Sequence, residues 1–291
     1  MQNRKPLWMM IGSMTIFGTI GLFRRFIPLG SATLAMLRGG IGMISLLVIL
    51  LFKRQKLSWA DIRKKAVLLL ISGILLGANW ILLFEAYNYT TVAVATLCYY
   101  MAPIFILIAS PFLFKEKLTP RKLLCIAMAL LGMVFVSGVL HPAEGAGDFR
   151  GILLGLCAAL LYAAIVILNK KLQGVSAYER TVSQLGVAAA TLLPYVLLTE
   201  TVDRAALTPG AIVMVLVVGL VHTGLAYAMY FGSMGSLPAQ TVALFSYIDP
   251  VVAILLSAFV LSEPMGVGEW IGVVLVLFAA VFSELNGKKA G

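Results

Sequence analysis

At 291 residues, 61% of them hydrophobic and only 12% charged, and with a mean hydropathy of +1.02, this chain carries more apolar surface than one water-soluble core can bury. Its formal charge of +10 would suggest nucleic acid as a partner in a soluble protein. Here the basic residues sit in short gaps between apolar runs, so nucleic acid is excluded and the charge reports membrane topology.

A helix needs about 20 mostly apolar residues to cross the hydrocarbon layer. Ten segments reach that length, near 7–27, 33–52, 66–87, 92–114, 121–140, 151–170, 178–199, 211–231, 238–260 and 267–285. The first has the basic flank of a signal peptide, but its apolar run is too long and lacks a small-residue cleavage site, so it reads as a retained span. The gaps are too short to hold a soluble domain, which leaves function to the membrane part. Cys98, Cys125 and Cys157 all lie inside apolar runs, and no metal-ligand or disulfide spacing is present. No phosphate-binding loop occurs either, so no cofactor is expected.

Lysine and arginine fall on alternate gaps. With the amino terminus inside, the inner gaps carry Lys53, Arg54, Lys56, Arg63, Lys64, Lys65, Lys115, Lys117, Lys170 and Lys171, whereas the outer gaps carry Arg24, Arg25, Arg150 and Arg204. This places both termini in the cytoplasm of a multi-pass protein of the cell membrane.

The stretch from Gly77 to Glu116 repeats, without a gap, as Gly224 to Glu263. Under one constant offset Gly77 meets Gly224, Phe84 meets Phe231, Leu97 meets Leu244, Tyr100 meets Tyr247, Pro103 meets Pro250 and Glu116 meets Glu263. Such register through apolar sequence indicates an internal duplication. Each half, 1–145 and 146–291, holds an odd number of spans, so the second enters the membrane from the opposite side. The expected fold is all-α, with ten transmembrane helices in two inverted five-helix repeats around a central cavity.

The NWILLFEAY run that leads into the fourth span, Pro103 followed by Glu116, and SYIDPVVAILLSAFVLSEP in the ninth span resemble the EamA family of the drug/metabolite transporter superfamily, and the resemblance covers essentially the whole chain. It implies a basket of helices around a cavity, with a small metabolite, amino acid or drug-like compound as cargo, usually exported. Lipid and small solute are the partners expected, with protons as a coupling ion. Monomer and homodimer stay open, and small-xxx-small spacings such as Gly73 to Gly77 support bundling only weakly.

Pro103 and Pro250 remove backbone hydrogen bonds and free the carbonyls of Tyr99 and Ser246, which suits a hinge as well as a plain packing kink. Asp249 lies deep in the ninth span, where an ionisable group is expensive and usually faces a cavity or partner. It is the first candidate for substrate contact or protonation. His222 lies at similar depth and reads either as a satisfied core histidine or as the other half of a proton relay. Asn79 and Trp80 offer a hydrogen bond and a stacking face, and Tyr99, Tyr100 and Tyr247 an aromatic wall. Glu85 either guards the outer mouth or reaches water. Arg38 either snorkels, neutralises an acidic cargo, or pairs with a carboxylate such as Glu85. Glu179 and Arg180 open the seventh span, where solvation accounts for them. Glu116 and Glu263, at helix carboxyl ends that disfavour them, are read as gate residues that pair across their own surface or as solvated ends.

The rival functions are a membrane-embedded enzyme using Asp249 and His222, a gradient-independent facilitator, and a non-transporting scaffold. Against the enzyme stand the absence of an HExxH-type spacing and the presence of only 2 histidines, so catalytic and metal residues are expected to be none.

Overall fold

A computed structural model describes residues 4–55, 57–114, 119–136, 148–201, 207–234, 236–237, 242 and 245–284. Among these the secondary structure is helical throughout. In chain order the helices are α1 (Lys5–Gly18), α2 (Ile20–Phe26), α3 (Ser31–Phe52), α4 (Trp59–Lys64), α5 (Ala66–Tyr89), α6 (Val92–Tyr99) and α7 (Ala102–Phe114). They continue as α8 (Pro120–Val136), α9 (Phe149–Lys170), α10 (Ala177–Thr199), α11 (Pro209–Val217), a π-helical stretch (Val218–Leu225), α12 (Ala226–Met234), α13 (Ile248–Phe259) and α14 (Val267–Glu284).

Among the described residues six helical stretches are long and apolar enough to cross a membrane: Lys5–Phe26, Ser31–Phe52, Ala66–Tyr89, Phe149–Lys170, Ala177–Thr199 and Pro209–Ser233. Shorter apolar helices cover Val92–Ile106, Leu123–Phe135, Ile248–Phe259 and Val267–Ala279, and fall on the fourth, fifth, ninth and tenth expected segments. Large apolar side chains turn outward, with Phe52, Phe112, Leu197, Leu198, Phe259 and Val274 all exposed. Lipid is the solvent that makes such a surface stable.

The interior is tied by small residues and by polar bridges, as expected where burial of apolar surface does not by itself drive helices together. Gln184 on α10 donates to Ser72 Oγ on α5 and to Asn169 Oδ1 on α9, both at 2.8 Å. α5 packs against α9, α10 and α3; α3 also packs on the π stretch; α1 lies on α12 and α13; α6 lies on α9 and α13; and α8 pairs with α14.

Helix ends are capped by carboxylates from distant helices. Glu200, just past α10, accepts from Ala32 N at 3.1 Å, Thr33 N at 2.9 Å and Thr33 Oγ1 at 2.5 Å, satisfying orphan donors at the start of α3. Glu179 forms a capping box with Ser176 and also accepts from Ser58 N at 2.6 Å. It is only 7% exposed, so solvation does not account for it; it ties Ser58, ahead of α4, to α10.

Candidate functional site

The two prolines break their helices where backbone donors are lost. α6 ends at Tyr99 and α7 begins at Ala102, one residue before Pro103; α13 begins at Ile248, two residues before Pro250. The Ser246 carbonyl, which Pro250 cannot bond, accepts instead from the Tyr100 hydroxyl at 3.4 Å. The expected freed carbonyl is thus present, and a tyrosine of the other proline segment takes it.

Between these breaks lies a cavity of about 540 Å³, bordered by Arg38, Trp80, Tyr99, Tyr100, Pro103, Tyr247 and Asp249 among others, within the size range of small-molecule sites. Tyr87, Tyr162, Tyr227 and Tyr230 add to the wall. The rings meet one another: Tyr99 with Tyr162 at 5.3 Å, Tyr99 with Tyr100 at 6.3 Å and Tyr100 with Tyr247 at 6.3 Å between centroids.

Two charged side chains reach this aromatic chamber. Arg38 is 6% exposed; its Nε donates to Thr223 Oγ1 at 3.0 Å, and its guanidinium lies 4.3 Å from the Trp80 ring centroid and 5.7 Å from that of Phe84. It neither snorkels nor pairs with Glu85. The π-helical stretch holds Thr223 in place, because its hydroxyl donates to the Val218 carbonyl at 3.1 Å. Asp249 enters from α13 beside the Tyr100 hydroxyl. Arg38 and Asp249 share the cavity without forming an ion pair within 4.0 Å.

His222 does not join them. Its ring is 1% exposed, with Nε2 at 2.8 Å from Thr19 Oγ1, Nδ1 at 3.3 Å from the Val217 carbonyl, and Phe23 edge-on at 4.8 Å. A carbonyl only accepts, so Nδ1 carries the hydrogen in this arrangement and Nε2 is an acceptor, with the single Thr19 hydroxyl hydrogen shared between Nε2 and the Ile16 carbonyl 2.8 Å from the same oxygen. The ring is a satisfied clasp between α1, α2 and the π stretch, and the expected relay to Asp249 has no contact behind it.

Asn79 is likewise structural. It is fully buried, donates to the Ala158 carbonyl at 2.6 Å and receives the Tyr99 hydroxyl at 3.5 Å, so it fixes α5 to α9 and steadies one tyrosine from behind. Asn79→Leu should lower the melting temperature in detergent, by roughly 1–2 kcal/mol of stability, while leaving solute selectivity as in wild type. A changed selectivity profile would place the side chain in the site.

At the end of the bundle that carries Glu263, polar contacts join several elements. Ser262 adopts a left-handed φ of 53°, which folds Glu263 back so that its N–H reaches the Ser257 carbonyl at 3.0 Å. Its carboxylate then accepts from Arg25 Nη2 at 2.5 Å, Val92 N at 2.8 Å and the Ser257 hydroxyl. Arg25 also donates to the Thr90 carbonyl at 2.9 Å. The helix carrying Asp249, the helix after α5 and the end of α2 are thereby joined. Nearby, Glu85 accepts from Ser31 Oγ at 2.6 Å and Asn88 Nδ2 at 3.1 Å, and Arg24 donates to the same Ser31 at 3.2 Å. Glu85 therefore belongs to this polar cap, outside the cavity lining. Glu116 lies outside the described residues.

Apolar helices with outward-turned apolar side chains, folded around an aromatic chamber with two charges, define a multi-pass membrane protein with an internal cavity of small-molecule size. The model of the EamA-like transporter family matches this chain twice, over residues 4–138 and 149–285, and the chain belongs to that family. It is 29% identical to the uncharacterized transporter YxxF of Bacillus subtilis, over 92% of this chain and 85% of that protein. An uncharacterized transporter of Archaeoglobus fulgidus is 26% identical, with 91% of each chain covered. A crystal structure 20% identical to the chain superimposes with a TM-score of 0.66 over 96% of this chain and 97% of the other, which shows a shared fold.

Proposed function

We propose that the chain is a carrier that moves a small organic solute across the cell membrane by alternating access, as two inverted repeats around the aromatic chamber. The duplication supports this through the packing. Under the offset that places Tyr100 on Tyr247, α5 falls on the α11–α12 stretch, α9 on α1, and α10 on α3. The α5 contacts with α9 and α10 then correspond to the contacts of that stretch with α1 and α3. The pair α8 with α14 corresponds to itself. A fold whose contacts exchange in this way has two related mouths, which is what alternating access uses. The repeats are residues 1–145 and 146–291, and the lysine and arginine distribution supports cytoplasmic termini.

The observation that carries the reading is the chamber between the paired proline breaks, with the Arg25–Glu263 ion pair joining elements at one end of the bundle. Export is the direction the family resemblance favours, and Asp249 is the group proposed to take up the coupling proton, because it is an ionisable side chain in a chamber of otherwise neutral acceptors.

The test is flux in sealed proteoliposomes, with and without a pH gradient, for wild type and Asp249→Asn. Gradient-driven solute movement that the substitution uncouples is the expected result. Flux indifferent to both the gradient and the substitution would make the protein a facilitator, and chemical turnover of solute in detergent would favour an enzyme.

A further inference from the structure

The repeat offset pairs positions at opposite ends of the bundle, and their charges do not match. At the Glu263 end, Glu85 accepts from Ser31, and Glu200, just past α10, accepts from Thr33 at the start of α3. Under the offset Glu85 meets Gly232, Glu200 meets Lys53 and Thr33 meets Arg180. These three lie together at the other end, where Lys53, just past α3, reaches the Tyr178 hydroxyl at 3.4 Å at the start of α10. Two carboxylates at one end are thus answered by a glycine and a lysine at the other, and a threonine by an arginine.

A basic residue that only fixes topology sits in the water beside the membrane. Lys53, which is exposed, fits that role, and Arg180 does not. It is the fourth residue of α10 and half-buried, with its guanidinium in electrostatic reach of Tyr162 and Tyr230, two rings of the chamber wall. It makes no hydrogen bond or ion pair among the described residues, and none of its nitrogens is sealed off as a buried unsatisfied atom. The described carboxylates of this end are engaged elsewhere: Glu179 accepts from the Ser58 and Ser176 amides, and Asp61 accepts from the Ser58 hydroxyl and pairs with Lys64.

A run of rings leads from these cations to the cavity. Lys53 Nζ lies 5.5 Å from the Tyr178 ring centroid, Tyr178 meets Phe231 at 5.6 Å, and Phe231 meets Tyr230 at 5.3 Å and Tyr227 at 5.7 Å. Tyr227 and Tyr230 border the cavity. A guanidinium with unused donors matches the oxygens of a carboxylate or phosphate, and two cations beside low-dielectric walls concentrate anions from solution.

We propose that Arg180 and Lys53 form a capture site for organic anions at the end of the bundle where α10 begins, ahead of the chamber. Arg180 holds the carboxylate or phosphate group, and the Tyr178 and Phe231 rings hold the organic part. The inference rests on the carrier reading above and adds that its solute bears an anionic group.

The reporter is Gly232→Cys in a protein with Cys98, Cys125 and Cys157 replaced by alanine. Gly232 is exposed, and an added Cβ would lie 3.6 Å from the Tyr178 hydroxyl and 3.9 Å from Lys53 Nζ, with only the flexible Met9 methyl closer, at 2.9 Å. In neutral detergent the thiol is modified by thiosulfonate reagents that carry a sulfonate, a quaternary ammonium or no charge. The sulfonate-to-ammonium rate ratio should exceed that of free cysteine by about tenfold and shrink as salt is added. Phenylacetate and phenyl phosphate are then titrated against the uncharged reagent. At least one should protect the thiol saturably, and the stronger protector separates carboxylate from phosphate recognition; phenylacetamide, which lacks the charge, should not protect. Arg180→Gln should weaken protection by about tenfold, and Arg180→Lys should keep the rate ratio while losing most of the protection. A rate ratio like that of free cysteine, equal protection by phenylacetamide, or no saturable protection by either anion overturns the proposal, and none of these comparisons depends on an Arg180 variant folding. Saturable protection in detergent without flux in vesicles would sink the carrier reading and keep the site; solute flux without protection would do the reverse.

Discussion

Glu263→Gln should make the chamber reachable from the Glu263 end. The carboxylate gathers Arg25, the first amide of α6 and the Ser257 hydroxyl, so it holds together elements that must separate if that mouth is to open. Glutamine keeps one acceptor oxygen and loses the charge. Side-chain exposures of 31% for Arg25 and 12% for Glu263 place the pair between a surface bridge and a buried one, so the loss is about 1–3 kcal/mol. Spent on a closed-to-open equilibrium, that is about a 5- to 150-fold shift in population. The readout is a Thr96→Cys probe on the chamber wall, in a protein with Cys98, Cys125 and Cys157 replaced by alanine, labelled with a membrane-impermeant thiol reagent added on the Glu263 side. Labelling should accelerate by that factor. Arg25→Gln should accelerate it similarly, and the double variant should add little, because both remove one interaction. Unchanged labelling in a folded Glu263→Gln protein would reduce Glu263 to a helix cap.

The sequence carried depth well and azimuth poorly. Apolar runs placed the helices, and the gapless match of Pro103 with Pro250 located the paired breaks, because proline acts on its own backbone wherever the chain goes. Asp249, Trp80 and the kink tyrosines border the chamber. His222 and Asn79 lie within the bundle but turn into helix contacts, and no periodicity separates those directions when a helix is apolar all round. Local sequence also gave no sign of the π-helical stretch, which turns Thr223 toward Arg38 through an i−5 bond to Val218. The carboxylate caps were missed because their partners are remote: Glu200 to Thr33 and Glu263 to Val92 span most of the chain. A carboxylate that disfavours its own helix end is a usable signal that it serves another helix's beginning.

Gly18→Leu should be the most damaging single substitution along the first helix. A Cβ built at Gly18 would lie 2.5 Å from the Asp249 carbonyl oxygen and 2.7 Å from Val252 Cβ, so α1 rests directly on the backbone turn that presents Asp249. A backbone carbonyl has no rotamer to give way, and helices in a membrane depend on such close approach. One added methyl, in Gly18→Ala, should cost about 1–3 kcal/mol as overpacking; leucine should exceed that range and displace α1 from α13. The control is Gly40→Ala, whose added Cβ would meet only Ala189 Cβ at 3.9 Å, an ordinary contact, so its melting temperature should match wild type. Thermal melting in detergent with size-exclusion profiles reads the series. Gly18→Ala should melt earlier, and Gly18→Leu should lose the monodisperse peak. If Gly18→Ala melts with the wild type, α1 is not clamped to the Asp249 turn, and the geometry of the acidic pole is set by α13 and Tyr100 alone.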